Sequence, residues 1–291
     1  MKRLIAFSLG CCLLSGTGFV VAQPRQNPDG TTNPPKVLLI MREFLKPGRQ
    51  GSMHVKSESA FVRAMEAAKY PTHYFAMNAM SGQPRSLFIV GYDSFADMEK
   101  DNDAMMHNKA LAAEFDHDAM VDGDLLNSSD QSVWTFDEDS SVHPAVKIEQ
   151  MRYMELTSIK VKLGHIAEWK ELVKMYRQGY ENVEGAHAAV FESQYGTDNG
   201  NLFLVATPMR SLSEVDDEAA QGKAFQAALG EDGLKRFREL SASCLESLQT
   251  NLFEMSPSMS YVPDAWIQAN PSFWKKAPAA PAKKEAAKAK Q

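Results

Sequence analysis

Tyr153, Glu155 and Thr157 stand at alternate positions in the run RYMELTSIKV, so on a strand they share one face. A phenol, a carboxylate and a hydroxyl in a row can anchor the polar end of a small ligand inside an otherwise apolar pocket. Their counterparts in an earlier run, KVLLIMREFL, are the apolar Val37, Leu39 and Met41, while Arg42 and Phe44 represent the opposite parity there. The two parities are alternatives for the inward face, and one residue of register exchanges them. His73 and His187 occupy matching places at the starts of two further strand-like runs, HYFAMNAM and HAAVFESQY. They read either as paired ligands or as strand-edge histidines with no chemical task.

Familiar catalytic and metal signatures are missing. There is no HExxH, no paired cysteines outside the amino-terminal apolar run and no clustered histidine spacing, so the sequence predicts no metal site. A Gly-rich phosphate loop and a Gly-x-Ser-x-Gly elbow are also absent. Sixteen methionines bring copper to mind, because thioethers are soft ligands, but Met41, Met65 and Met77 fall at positions that read as core. Cys244 shares a helical stripe with Leu234, Phe237, Leu240 and Leu248 and has no basic neighbour, which predicts a buried, inert thiol. The formal net charge of −6, with a cluster of lysines confined to the carboxy-terminal end, leaves an acidic body and argues against nucleic acid as a partner.

The ends of the chain suggest where it works. Met1-Lys2-Arg3, the apolar run LIAFSLGCCLL and the small residues Val20 and Ala22 before Gln23 read as a secretory signal, cleaved near Ala22. Gly and Ser interrupt this stretch, and nothing later reaches the roughly 18 to 20 apolar residues of a membrane span. Lipidation at Cys11 or Cys12 is a weaker alternative, since SLGC lacks the expected Leu three places earlier. The expected product is an exported soluble protein, periplasmic or extracellular, without an internal disulfide. Residues 23–35 read as a disordered leader and 257–291 as a Pro-, Ala- and Lys-rich extension, either a solvated end or a tether to an anionic surface.

Between these ends the chain states one pattern twice. Lys46-Pro47-Gly48 answers to Lys162-Leu163-Gly164, Leu87-Phe88-Ile89-Val90 to Leu202-Phe203-Leu204-Val205, and Ser94 to Ser211, at near-constant spacing. That is the mark of a duplication with small loop changes. Each copy reads strand, helix, strand, turn, strand, helical region, strand. Phe61, Ala64, Met65 and Ala68 step along one helix; Ile166, Trp169, Val173, Tyr176, Tyr180 and Val183 step along its counterpart. Ser94 with Asp97, and Ser211 with Glu214, predict capping boxes directly after strands. The second helical regions are expected to run through Leu126 and Leu248, before strands at 131–136 and 250–255.

This order predicts an α+β fold of two tandem ferredoxin-like repeats, residues 36–137 and 151–256, joined by a linker at 138–150. LFIV and LFLV are apolar on both faces, so helices must cover one side and the other copy's sheet the other. The antiparallel sheets then pack face to face as a pseudo-twofold α-β barrel, a monomer open to further dimerisation. On the joins YDSFADMEKD and TPMRSLSEVDD and the KPG and KLG turns, the chain resembles the dimeric α-β barrel superfamily. That resemblance implies a central cavity. It also implies functions as diverse as antibiotic-biosynthesis-type and haem-degrading monooxygenases and chlorite dismutase-like haem proteins. His107 lies where haem-degrading relatives carry a haem-ligating histidine, which makes it a weak haem candidate.

Three functions follow as expectations. The first is a module that binds a small apolar or aromatic molecule in the barrel, with Tyr153, Glu155, Thr157, Arg42, His73 and His187 as cavity candidates. The second is a monooxygenase, cofactor-free or haem-using. The third is a scaffold whose barrel is filled.

Overall fold

The computed structural model describes residues 26–197 and 200–275. The expected signal segment with Cys11 and Cys12, and the lysine-rich end beyond residue 275, lie outside the described residues. In chain order the first half runs β1 (Val37–Leu45), α1 (Ser52–Ala68), β2 (Tyr74–Ala79), β3 (Arg85–Tyr92), α2 (Phe95–His107), α3 (Lys109–Gly123) and β4 (Leu126–Val142). The second half runs β5 (Tyr153–Val161), α4 (Ile166–Tyr180), β6 (Ala188–Tyr195), β7 (Leu202–Met209), α5 (Ser213–Cys244) and β8 (Leu245–Met255). Two short helices, α6 (Asp264–Ala269) and α7 (Pro271–Trp274), follow.

All eight strands close into one antiparallel barrel in the order β1-β3-β2-β8-β5-β7-β6-β4. Two separate sheets packed face to face are therefore not what forms. The halves are stitched edge to edge, β2 to β8 at Met77↔Met255 and β4 to β6 at Phe136↔Phe191. Open edges would leave rows of unpaired backbone groups, and closure removes them. The joining strands are longer than the sequence suggests. β4 has 17 residues and reaches into the expected linker, and β8 starts at Leu245, so Leu248 stands on a strand and is exposed.

Alternation along the central strands explains why they are apolar throughout. Leu87 and Ile89 face the lumen while Phe88 and Val90 face the helices; Leu204 and Phe203 divide in the same way. Outside the barrel, Trp169, Leu172 and Val173 of α4 bury against Phe203, Val190 and Leu240. Gly179 permits close contact with α5, because a Cβ there would come within 2.3 Å of the Phe225 ring. Cys244 is buried in this layer, and burial pushes its thiol up. Met65 and Met77 are core residues, and Met41 packs against a buried cluster.

Ser94 caps α2 by accepting from Asp97 N at 3.1 Å. Leu212, not Ser211, stands at the cap position of α5; Ser211 Oγ, one residue earlier, accepts from Ser213 N at 3.3 Å, and Glu214 reaches back and accepts from Arg210 N at 2.9 Å.

The segments that flank the barrel are more ordered than composition suggests. Residues 26–35 are not a disordered leader: Thr32 pairs with Val146 through two backbone hydrogen bonds, and Pro35 sits on Gly91. Residues 257–275 are not a loose extension either. Met259 and Trp274 are fully buried, and Tyr261 pairs with Tyr74. Averaging over the lysine-rich end hides how apolar this stretch is, with Val262, Trp266, Ile267, Phe273 and Trp274 packed on the barrel core. No helix among the described residues is long and apolar enough to cross a membrane.

Candidate functional site

Strand parity settles what the lumen contains. Leu38 and Ile40 of β1 and Met154 and Leu156 of β5 belong to the lumen core, and Arg42 and Ser158 continue the same faces. Tyr153, Glu155 and Thr157 therefore point outward, which corrects their expected role as cavity anchors. Ile159 and Val161 share their parity and pack under α4, so the apolar end of β5 sets the register for the polar end. Burial, then nearby Glu218 on α5, raises the Glu155 carboxyl above its ordinary range. Thr157 hydrogen-bonds Thr250 across the β5–β8 pair at 2.8 Å.

Across its waist the lumen is closed by Ile40, Leu156 and Leu204, which line the space on either side. At one mouth this packing stops and leaves a chamber of about 190 Å³. Its floor is Ile40, Leu156 and Leu204, and its walls include Phe75, Ile89, Ala189 and Ala206. Its cover comes from segments that lie outside the barrel strands: Pro34 and Pro35 before β1, Val146 and Ile148 of the connection between β4 and β5, and Val262 and Trp266 of the carboxy-terminal plug. No Asp, Glu, Lys or Arg lines it. A charged guest would lose its hydration there without a counter-charge, so the chamber selects a neutral one.

His73 and His187 both line this chamber, as their matching positions suggest. His73 stacks on Tyr261 with ring centroids 4.7 Å apart, and burial lowers its pKa, which leaves it neutral at pH 7. His187 places Nδ1 2.8 Å from Gly185 O and Nε2 2.6 Å from Pro208 O, so the main chain fixes its ring. The two histidines are rim walls with polar edges. They form no metal-ligand group among the described residues.

Arg42 serves the opposite mouth. A second space of about 290 Å³ there is lined by Arg42, Arg85, Ser132, Ser158, Gln249 and Asn251. Arg42 is held by a two-pronged pair to Asp130, at 2.6 and 2.8 Å. Arg85 lies over the Phe253 ring at 4.9 Å. Polarity thus changes along the barrel axis, not from one wall to the other as the contrast between β1 and β5 in the sequence suggests.

His107 sits exposed in the last turn of α2, its Nδ1 2.6 Å from Asp103 O, and it borders neither space. A buried haem pocket is not formed around it, so these residues do not fit haem. The leader and plug residues are the part of the chamber that sequence reasoning missed. Their apolar side chains among prolines were the available signal.

The fold and chamber define a closed α-β barrel with a capped apolar mouth. No protein-family profile matches the chain, and no curated protein matches it. Solved structures do match. A candidate monooxygenase from Fusobacterium nucleatum aligns over 76% of this chain and 93% of its own, with 11% identity and a TM-score of 0.51. An anthrone oxidase-like protein aligns over 76% and 92%, with 16% identity and a TM-score of 0.48. A chlorite dismutase variant from Candidatus Nitrospira defluvii, solved with cyanide, aligns over 77% and 92%, with 15% identity and a TM-score of 0.45. At these identities the similarity shows a shared fold and nothing finer.

Proposed function

We propose that the chain is an exported binding protein that holds a small, neutral, largely apolar or aromatic molecule in the capped mouth of its barrel. The observation that carries this reading is the chamber itself: apolar on floor, wall and cover, and free of Asp, Glu, Lys and Arg among its lining residues. Its volume of about 190 Å³ slightly exceeds the roughly 150 Å³ of an apolar cavity that takes up benzene, so the guest has one ring or little more. Removal of the guest's apolar surface from water supplies the drive, and the polar groups of His73 and Asn33 offer orientation.

In this reading the two halves are ferredoxin-like repeats of one ancestral unit, so one chain supplies both sides of a pseudo-twofold barrel. Their shared strand order, β4-β1-β3-β2 and β8-β5-β7-β6, supports it. Export is supported by the amino-terminal pattern ending at Ala22, and intact mass of protein from the cell envelope tests it by a start at Gln23.

Native mass spectrometry of protein prepared gently from its source tests the binding reading. Wild type should carry a small apolar molecule, and Ala206→Phe, which fills the chamber, should not. Empty wild-type protein that also fails to take up small aromatic molecules would favour a scaffold. If the recovered molecule is returned with an oxygen atom added, a monooxygenase replaces the binding module.

A further inference from the structure

Outside the barrel, between its wall and the helices of the first half, four titratable side chains meet in a buried spot. His54 and Glu58 lie one turn apart on α1, Glu43 comes from the outward face of β1, and Asp122 from the end of α3. His54, Glu58 and Asp122 are 1%, 4% and 2% exposed. One ligand atom from each of the four lies within 4.8 Å of the others. His54 Nε2 lies 2.9 Å from Glu43 Oε2, 3.8 Å from Glu58 Oε1 and 3.7 Å from Asp122 Oδ1.

A second observation points to a guest at this spot. Glu58 Oε1 and Asp122 Oδ1 are fully buried yet accept no hydrogen bond. Orphaned buried carboxylate oxygens are costly and call for a compensating positive charge. Behind the histidine, Ser86 Oγ donates to Asn78 Oδ1 at 2.6 Å and lies 3.4 Å from His54 Nδ1. With its proton committed to Asn78, Ser86 Oγ can only accept from Nδ1–H. Nε2 then faces the three carboxylates, donating to Glu43 Oε2 at 2.9 Å, and an ion would take the place of that proton, as in metal-ligating histidines oriented from behind.

We propose that Glu43, His54, Glu58 and Asp122 bind one first-row divalent cation, zinc or manganese, that clamps α1 and α3 to the barrel wall. A tetrahedral ion with ligand bonds near 2.1 Å would space its ligand atoms by about 3.4 Å, within a few tenths of an ångström of the Glu58 and Asp122 separations from Nε2. One imidazole with three carboxylates suits these ions. Calcium usually gathers six to eight oxygens, and copper(I) prefers sulfur. The site is closed, which makes the ion structural. This proposal is independent of the chamber on the other side of the barrel wall.

The test uses the full chain. Elemental analysis of protein purified without chelator should find one zinc or manganese per chain. Chelation should lower the melting temperature, and zinc or manganese alone, but not calcium, should restore it. Glu58→Gln and Asp122→Asn should lose the ion and all dependence of melting on metal, and Ser86→Ala should weaken binding about 10- to 100-fold. Cobalt loaded into wild type should give a visible ligand-field spectrum that Glu58→Gln lacks, a readout separate from stability. Metal-free wild type whose melting is unmoved by millimolar zinc or manganese would overturn the proposal. So would a Glu58→Gln variant that binds the ion as tightly as wild type, because the cluster would then be held by protons alone.

Discussion

Replacing Trp274 with Ala measures how firmly the carboxy-terminal plug belongs to the fold. The side chain is 1% exposed, packs against Trp266 and Phe273 with ring centroids 5.4 and 4.9 Å away, and donates from Nε1 to Glu149 O at 2.7 Å. Truncating a buried Trp costs roughly 3 to 5 kcal/mol through lost transfer energy and the cavity left behind. The lost hydrogen bond adds about 0.5 to 1.5 kcal/mol in an unshielded case. Here Asn270 Nδ2 also reaches Glu149 O, at 3.3 Å, which keeps that carbonyl satisfied and puts the addition at the low end. The expected loss is therefore about 4 kcal/mol, read by urea unfolding followed by circular dichroism, with an unchanged denaturant slope. Trp274→Phe keeps most of the apolar volume and should cost about 1 to 2 kcal/mol. A loss below about 1 kcal/mol for Trp274→Ala would refute the reasoning, because a loosely attached tail would not register its removal.

Phe203→Ala should destabilise by roughly 3 to 5 kcal/mol in the same assay, since the ring is buried against Trp169 at 4.7 Å. Gly91→Ala places a methyl 2.8 Å from Pro35 and should free the leader, seen as faster amide exchange at Thr32 with a stability loss on the order of 1 to 3 kcal/mol. Glu155 holds its proton more tightly folded than unfolded, so its contribution is complete below the unfolded carboxylate range and is lost as pH rises through the raised value. Glu155→Gln should therefore flatten part of the fall in stability above that range, measured as melting temperature against pH, while leaving ligand binding unchanged. His107→Ala should leave the absorbance of any added haem identical to that with wild type.

The strand pattern was readable because physics repeats it locally. LFIV and LFLV are apolar on both faces, and only a strand with cover on both sides can bury them, which is what β3 and β7 do. Parity was not readable from RYMELTSIKV, because its polar end could face either way until Ile159 and Val161 were seen under α4. Closure was hidden for a related reason: the polar early residues of β4 look like loop, those of β8 look like the end of a helix, and their pairing partners are remote in sequence. Of the proposed cavity residues, His73 and His187 reach the chamber and Arg42 the opposite mouth, since strand starts and the even parity of β1 lead there. The Glu43, His54, Glu58 and Asp122 cluster left one local trace, His54 and Glu58 spaced for one helical turn. The other members come from β1 and α3, which only the folded chain brings to them.

Calorimetric titration with indole, repeated on Ala206→Phe, tests the central claim most directly. The account predicts saturable binding of one indole per wild-type chain, with a negative heat-capacity change from buried apolar surface, and no binding to the filled variant. Equal heats from the two proteins, or none from either, would contradict a ligand chamber at the barrel mouth.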